Sequence, residues 1–247
     1  MQSDVETRLK TLFGKAGELI DRSRETDYIM PIIFPFLPSI LLVIGVFLLV
    51  LGIFTHELIV AGFAVSVIAI IFFFYIVYKW IKRRNDHFKR SLELYEVIAE
   101  ISEILGFKRS NMIRSRLNEL RAYSQNRDAV VNTILIIVPF YIFYVYHFLN
   151  KDFVKHSQHE RFLLGELFDE IRERVPSFYR RIEEFDVVPD RSTLLYVILT
   201  LVTSLFVIYW VYTLTKDPNK HFESHRVIER ELLDSLKAIA RQSNYNV

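Results

Sequence analysis

The chain contains no cysteine, which excludes disulfides, thiol nucleophiles and thiolate metal sites. Strand signals are few. The long apolar runs carry no charge in mid-run, whereas buried intramembrane charges are the usual mark of pumps and coupled transporters, because keeping them there is costly. A basic stripe of the kind that reads nucleic acid is missing too: the net charge is +2, and acids and bases are interspersed in every polar segment. No motif such as His-Glu-x-x-His is present.

What the chain does have is strong segregation. It is 51% hydrophobic and 24% charged, a combination unusual for one soluble core. Runs 30–54 and 58–81 are almost free of charge, and 129–149 and 192–214 are further candidates, each matching the ~20 residues a spanning helix needs. The sequence therefore predicts an all-α polytopic membrane protein with four transmembrane helices plus amphipathic extramembrane helices. The first run is too long for the apolar core of a signal peptide and reads as a retained anchor. Gly45, Gly52 and Gly62 would permit close helix approach in the first pair of spans.

Lys and Arg are concentrated in 82–128 and missing from the turn at 55–57, which places 82–128 in the cytoplasm and the turn outside. The expected order is a cytoplasmic amphipathic helix at 1–29, a transmembrane hairpin at 30–81, a cytoplasmic helical segment at 82–128 and a third span at 129–149. An extracytoplasmic helical loop at 150–191, a fourth span at 192–214 and a cytoplasmic C-terminal helix at 215–247 follow. Apolar residues recur at helical spacing in each polar segment: Leu9, Phe13 and Ala16; Leu92, Tyr95 and Ile98; Leu163, Leu167 and Ile171; Ile228, Leu232 and Leu236. These stripes are expected to pack against one another. The stretch from 115 onward reads as one helix continuing into the third span.

The span ends resemble one another. Tyr78, Asp86 and Lys89 align with Tyr144, Asp152 and Lys155, and Lys151, Asp152, Lys155 and His156 align with Lys216, Asp217, Lys220 and His221. Parallel repeats would face one side of the membrane, yet three consecutive spans must alternate. The middle unit is then inverted, or 129–149 does not fully cross and bends at Pro139 near Asn132, or the likeness is generic chemistry of interfacial aromatics and lysines.

The junctions supply the candidate sites. His156 with His159, and His221 with His225, lie at spacings that put each pair on one helical face, as a metal site requires. The four-span topology keeps the two pairs apart, so no cofactor is expected. Asp86, Lys89, Lys151, Asp152, Lys155, Lys216, Asp217 and Lys220 read as interfacial junctions, with Asp217 and Pro218 restarting a helix. Asn132, Thr200, Thr203 and Ser204 are the polar groups available to line a pore.

The stretch Trp210, Tyr212, Lys216, Asp217, Asn219, His221 and Phe222 resembles a family of uncharacterised prokaryotic, especially archaeal, integral membrane proteins grouped as a domain of unknown function. The resemblance covers about the last fifth of the chain and implies membrane location without an activity. The leading expectation is a non-enzymatic scaffold or interaction subunit in the lipid bilayer, with a protein partner or a homo-oligomer. A small oligomeric channel or transporter is the alternative, and a membrane enzyme using the Asp/His junctions is the third.

Overall fold

A computed structural model describes residues 2–246. It contains eight α-helices and, among the described residues, no strand: α1 (Gln2–Thr26), α2 (Leu37–Leu51), α3 (His56–Ile104), α4 (Ser110–Tyr123), α5 (Ala129–Leu135), α6 (Tyr141–Arg174), α7 (Thr193–Thr203) and α8 (Phe206–Gln242). The all-α expectation holds. Among the described residues, two stretches are long and apolar enough to cross a membrane, Phe34–Leu51 and a window within His56–Ile104.

Helices α2 and α3 form a tight hairpin. A Cβ at Gly45 would meet Ser66 Oγ at 2.4 Å, and one at Gly62 would meet the Gly45 carbonyl oxygen at 2.7 Å. Backbone therefore lies on backbone, a separation that only glycine permits.

The segments 129–149 and 192–214 do not form continuous spans. Pro139 has no N–H to offer the Leu135 carbonyl, and α5 stops at Leu135; Phe140 takes φ 65°, and the chain turns back into α6. Asp128 caps α5, accepting from Val131 N at 2.9 Å. Arg127, just before α5, reaches Asp152 in α6 at 3.0 Å, so the two ends of the apolar segment lie together. The third unit has the same build. It turns at Ser204, φ 52°, and Arg191 before α7 reaches Asp217 in α8 at 2.8 Å.

These hairpins correct the expected placement of 150–191 across a membrane from 82–128. Glu170 of α6 accepts from the backbone N–H groups of Lys108 and Arg109 at 3.2 and 3.0 Å. Arg174 donates to the carbonyls of Leu105 and Gly106 at 2.9 and 2.7 Å. No bilayer can pass between groups in hydrogen-bond contact. The predicted continuation of α4 into the next apolar segment also fails, because the chain leaves helix at Ser124 and restarts at Ala129.

The long helices α3, α6 and α8 run through two ends of the molecule. At one end Trp80, Tyr146 and Trp210 pack as a ring cluster, Tyr146 lying 5.2 Å from Trp210 between centroids, and the outward surface carries Val43, Phe47, Phe63, Ile137, Val202 and Leu205. At the other end the amphipathic stripes close on one core. Leu9 and Phe13 of α1, Ile98 of α3, Leu117 of α4, Leu167 of α6 and Leu236 of α8 are all buried in it. The stripes thus pack on one another as their periodicity predicts, because each helix buries its apolar face only against its neighbours.

Candidate metal centre

Between the two ends lies a layer of polar side chains. Asp27, His87, Arg90, His156, Glu160, His221, His225 and Glu229 are each 0% exposed. Burying charge at this density is costly unless every group is paired. The long helices supply most of the layer: His87 and Arg90 from α3, His156 and Glu160 from α6, His221, His225 and Glu229 from α8. Spacing of four residues puts His156 with Glu160, and His221 with His225 and Glu229, on single helix faces. Asp27 comes from the end of α1.

The outer nitrogens of the four imidazoles all face oxygen. His221 Nδ1 lies 2.8 Å from the Asp186 carbonyl, which accepts only, so this nitrogen carries the proton. His225 Nδ1 is 2.7 Å from Glu229. His156 Nδ1 is 2.9 Å from Ser124 Oγ, whose own hydrogen goes to the Leu120 carbonyl at 2.6 Å, so His156 is the donor. His87 Nδ1 is 3.1 Å from Asp27 Oδ1, though poorly aligned for a hydrogen bond.

With Nδ1 protonated, a neutral imidazole presents a bare lone pair at Nε2, and these lone pairs converge. His87 Nε2 and His221 Nε2 are 3.2 Å apart. Glu160 Oε1 is 3.0 Å from His156 Nε2, and Glu160 Oε2 is 3.1 Å from His221 Nε2 and 3.2 Å from His225 Nε2. Glu160 Oε1 has no aligned donor. One donor atom from each of His87, His156, Glu160 and His221 lies within 4.8 Å of all the others. Four ligands around zinc stand about 3.3 Å apart at metal–ligand distances of about 2.0–2.1 Å. The closer pairs already match that spacing, and the widest must draw in.

Charge points the same way. With neutral imidazoles, the carboxylates of Asp27, Glu160 and Glu229 face the single guanidinium of Arg90, which binds Asp27 at 2.5 Å and Glu229 at 2.5 Å. Three negative charges against one positive leave two, which a divalent cation cancels. Without one, protons must serve. Burial lowers His225, but Glu160 and Glu229 outweigh it and raise its pKa to about 10. Burial dominates at His156, lowering it to about 4, and at His87, which falls well below its usual value. Burial would raise Glu160, yet His156 and His225 hold it well below the usual carboxylate range.

Of the expected metal residues, His156, His221 and His225 thus come together, which the four-span arrangement had excluded. His159 does not join them: it stacks on Tyr123 at 4.4 Å and faces Glu119 at 3.6 Å. The junction residues take other roles. Lys82 pairs with Asp86 at 2.8 Å, and Lys151 with Asp190. Asp152 binds Arg84 and Arg127 at 2.9 and 3.0 Å. Lys155 and Lys216 lie over the rings of Tyr123 and Tyr212, while Lys89 and Lys220 are exposed at the surface.

Asp217 does not restart a helix. α8 runs through Pro218, whose missing N–H leaves the Leu214 carbonyl without its helical donor, and Arg83 of α3 donates to it at 3.0 Å. The polar residues expected to line a pore sit in two separate hairpins of the chain: Asn132 binds Asp128 and Tyr141 within its own. In the other hairpin, Thr203 donates to the Leu199 carbonyl and Ser204 N to the Thr200 carbonyl.

Sequence reasoning missed Asp27, Arg90, Glu160 and Glu229, and saw His87 only as a neighbour of Asp86 at the first junction, not joined to the other histidines. A signal for Arg90 existed: the offsets that align Asp86, Asp152 and Asp217 also align Arg90, His156 and His221.

The fold and this layer define an all-α protein with a buried centre of four histidines and three carboxylates. Comparison with protein-family models, curated proteins and solved structures gave no match for the chain.

Proposed function

We propose that this protein is a membrane-anchored, non-enzymatic scaffold whose helical bundle is clamped by one divalent first-row transition metal. The observation that carries the reading is the facing pair of His87 and His221, whose Nε2 atoms stand 3.2 Å apart while both Nδ1 atoms address oxygen. Two lone pairs at that distance repel unless a proton or a cation lies between them. Imidazole and carboxylate donors suit zinc and its neighbours. The oxygens at Nδ1 are the outer partners that orient such ligands. The site is closed by its own helices, as structural metal sites are.

Membrane insertion is supported by the two apolar stretches and by the apolar outward surface around them, far more than a soluble monomer exposes. In this reading α2 and the first part of α3 cross the bilayer, while α5 with the start of α6, and α7 with the start of α8, enter and return on one side. The positive-inside rule places that side, with both termini, in the cytoplasm. The resemblance around 210–222 to uncharacterised prokaryotic membrane proteins accords with this. Metal would tie α3, α6 and α8 into one unit able to present its surface to partners.

Thermal unfolding of the detergent-purified protein tests the proposal. Chelation is expected to lower the midpoint by roughly 10 °C, with Zn2+ but not Mg2+ restoring it. An unchanged midpoint in protein shown to be stripped of metal contradicts a structural metal.

A further inference from the structure

Beside the polar layer, α1 and α8 enclose a pocket of about 380 Å3, lined by Ile20, Ser23 and Arg24 of α1 and by Arg226 and Arg230 of α8. This is within the roughly 300–1,000 Å3 of small-molecule sites. Residues four apart share a helix face, so Arg226 and Arg230 project from α8 together, and Arg24 joins them from α1. Ile20 and Ser23 are buried and the three arginines exposed, which makes an apolar and hydroxyl floor under a basic rim.

These arginines differ from their neighbours in having no acid. Arg22, on the same turn of α1 as Arg24, pairs with Glu93 at 2.7 Å. Among the described residues, no carboxylate pairs with Arg24, Arg226 or Arg230. Two acids beside them along the chain are turned into the polar layer: Asp27 binds Arg90 and faces His87, and Glu229 binds Arg90 and His225. Arg226 donates to the Asp27 carbonyl at 3.3 Å, which fixes its guanidinium across the groove and leaves other N–H groups free to bind. The Ser23 hydroxyl likewise has no partner among the described residues. Converging guanidiniums repel one another, and a phosphate group relieves this by accepting paired N–H bonds in the geometry of the guanidinium fork.

We infer that this pocket binds a soluble small molecule carrying a diphosphate group, held by Arg24, Arg226 and Arg230, with Ser23 as a further donor. Three guanidiniums balance more charge than one phosphate brings, and the pocket has room for the group that the phosphates are attached to. Arg226 lies about 15 Å along α8 from Lys216 at 1.5 Å per residue, away from the span end where lipid heads would gather, so the ligand comes from the aqueous side. For the side of the membrane, the inference rests on the orientation proposed above; it is independent of the metal.

The test is isothermal titration of the detergent-purified protein with inorganic pyrophosphate. Saturable binding is expected, and an Arg226→Gln, Arg230→Gln double variant should bind about tenfold or more weakly. If that variant does not stay helical by circular dichroism, Arg24→Gln, on the other helix, should weaken binding severalfold. No binding by the parent overturns the inference. So does equal affinity in the folded variants, because pyrophosphate would then be held elsewhere, at the metal for instance. Repeating the titration in phosphatidylcholine nanodiscs, with and without a minor fraction of bisphosphorylated phosphatidylinositol, separates the sources. Unchanged affinity supports a soluble ligand, whereas competition by the lipid assigns the site to a lipid head and overturns the soluble source. All of these outcomes leave the metal reading to its own test.

Discussion

His87 and His221, 134 positions apart, hold their Nε2 atoms 3.2 Å from each other at the centre of the bundle. Each turns its other nitrogen to an oxygen, the Asp27 carboxylate for one and the Asp186 carbonyl for the other. This arrangement organises the layer: the helices that bring the two rings together also bring His156, Glu160 and His225 around them.

The outer partners should tune metal affinity without binding metal. Asp27→Asn keeps the shape but removes the charge facing His87 and Arg90, and is expected to weaken metal binding about 10–100-fold. Competition with a metal-sensitive dye measures this. Unchanged affinity would show that Asp27 serves packing alone.

Metal and protons compete for the same imidazoles, so metal should be retained near neutral pH and lost as pH falls through about 5. The stripped protein should show a different dependence. His156, lowered to about 4 from 6.5, contributes stability above its unfolded value that is lost as pH falls toward 4. His225, raised to about 10 from 6.5, contributes stability below its unfolded value that is lost as pH rises toward 10. Denaturation midpoints across pH should therefore peak near neutrality for the stripped form. A midpoint that climbs steadily to high pH would contradict the paired state of His225.

Arg191 clasps Asp217, which is 7% exposed, at the base of the α7–α8 hairpin. Arg191→Ala leaves that carboxylate without its partner and should cost about 2 kcal/mol. The unfolding midpoint should drop by roughly 4–8 °C. A loss within error would reduce the clasp to a surface contact.

Side of labelling checks the hairpins directly. The chain has no native thiol, so single cysteines at the exposed positions Ser115, Glu183 and Asn244 should react with an impermeant reagent from one face of the membrane, and one at Thr55 from the other. Opposite behaviour of positions 115 and 183 would restore the four-span arrangement.

Much of this fold is legible in the sequence because it depends on local spacing. The stripes of α1 and of the C-terminal parts of α3, α6 and α8 mark their core faces, and the glycines at 45 and 62 mark the backbone contact of α2 with α3. The pairing of His221 with His225 on one face is local too. Length and hydropathy, however, do not distinguish a span from a hairpin, since both are apolar runs bounded by charge. The return of the chain depends on the turns at Phe140 and Ser204 and on Arg127 and Arg191 reaching back to their aspartates. Pro218 reads as a helix break because the residue that serves the freed Leu214 carbonyl, Arg83, is 131 positions away. The centre itself was hidden for the same reason: its ligands are assembled by packing across the whole chain, from Asp27 to Glu229.

Elemental analysis of the protein purified without added metal or chelator tests the central claim most directly, with a His87→Gln, His221→Gln double variant purified in parallel. The account predicts about one divalent transition metal per chain in the parent, and little in a double variant that remains helical by circular dichroism. A metal-free parent that also fails to bind added Zn2+, or a double variant that keeps the full complement, would contradict it.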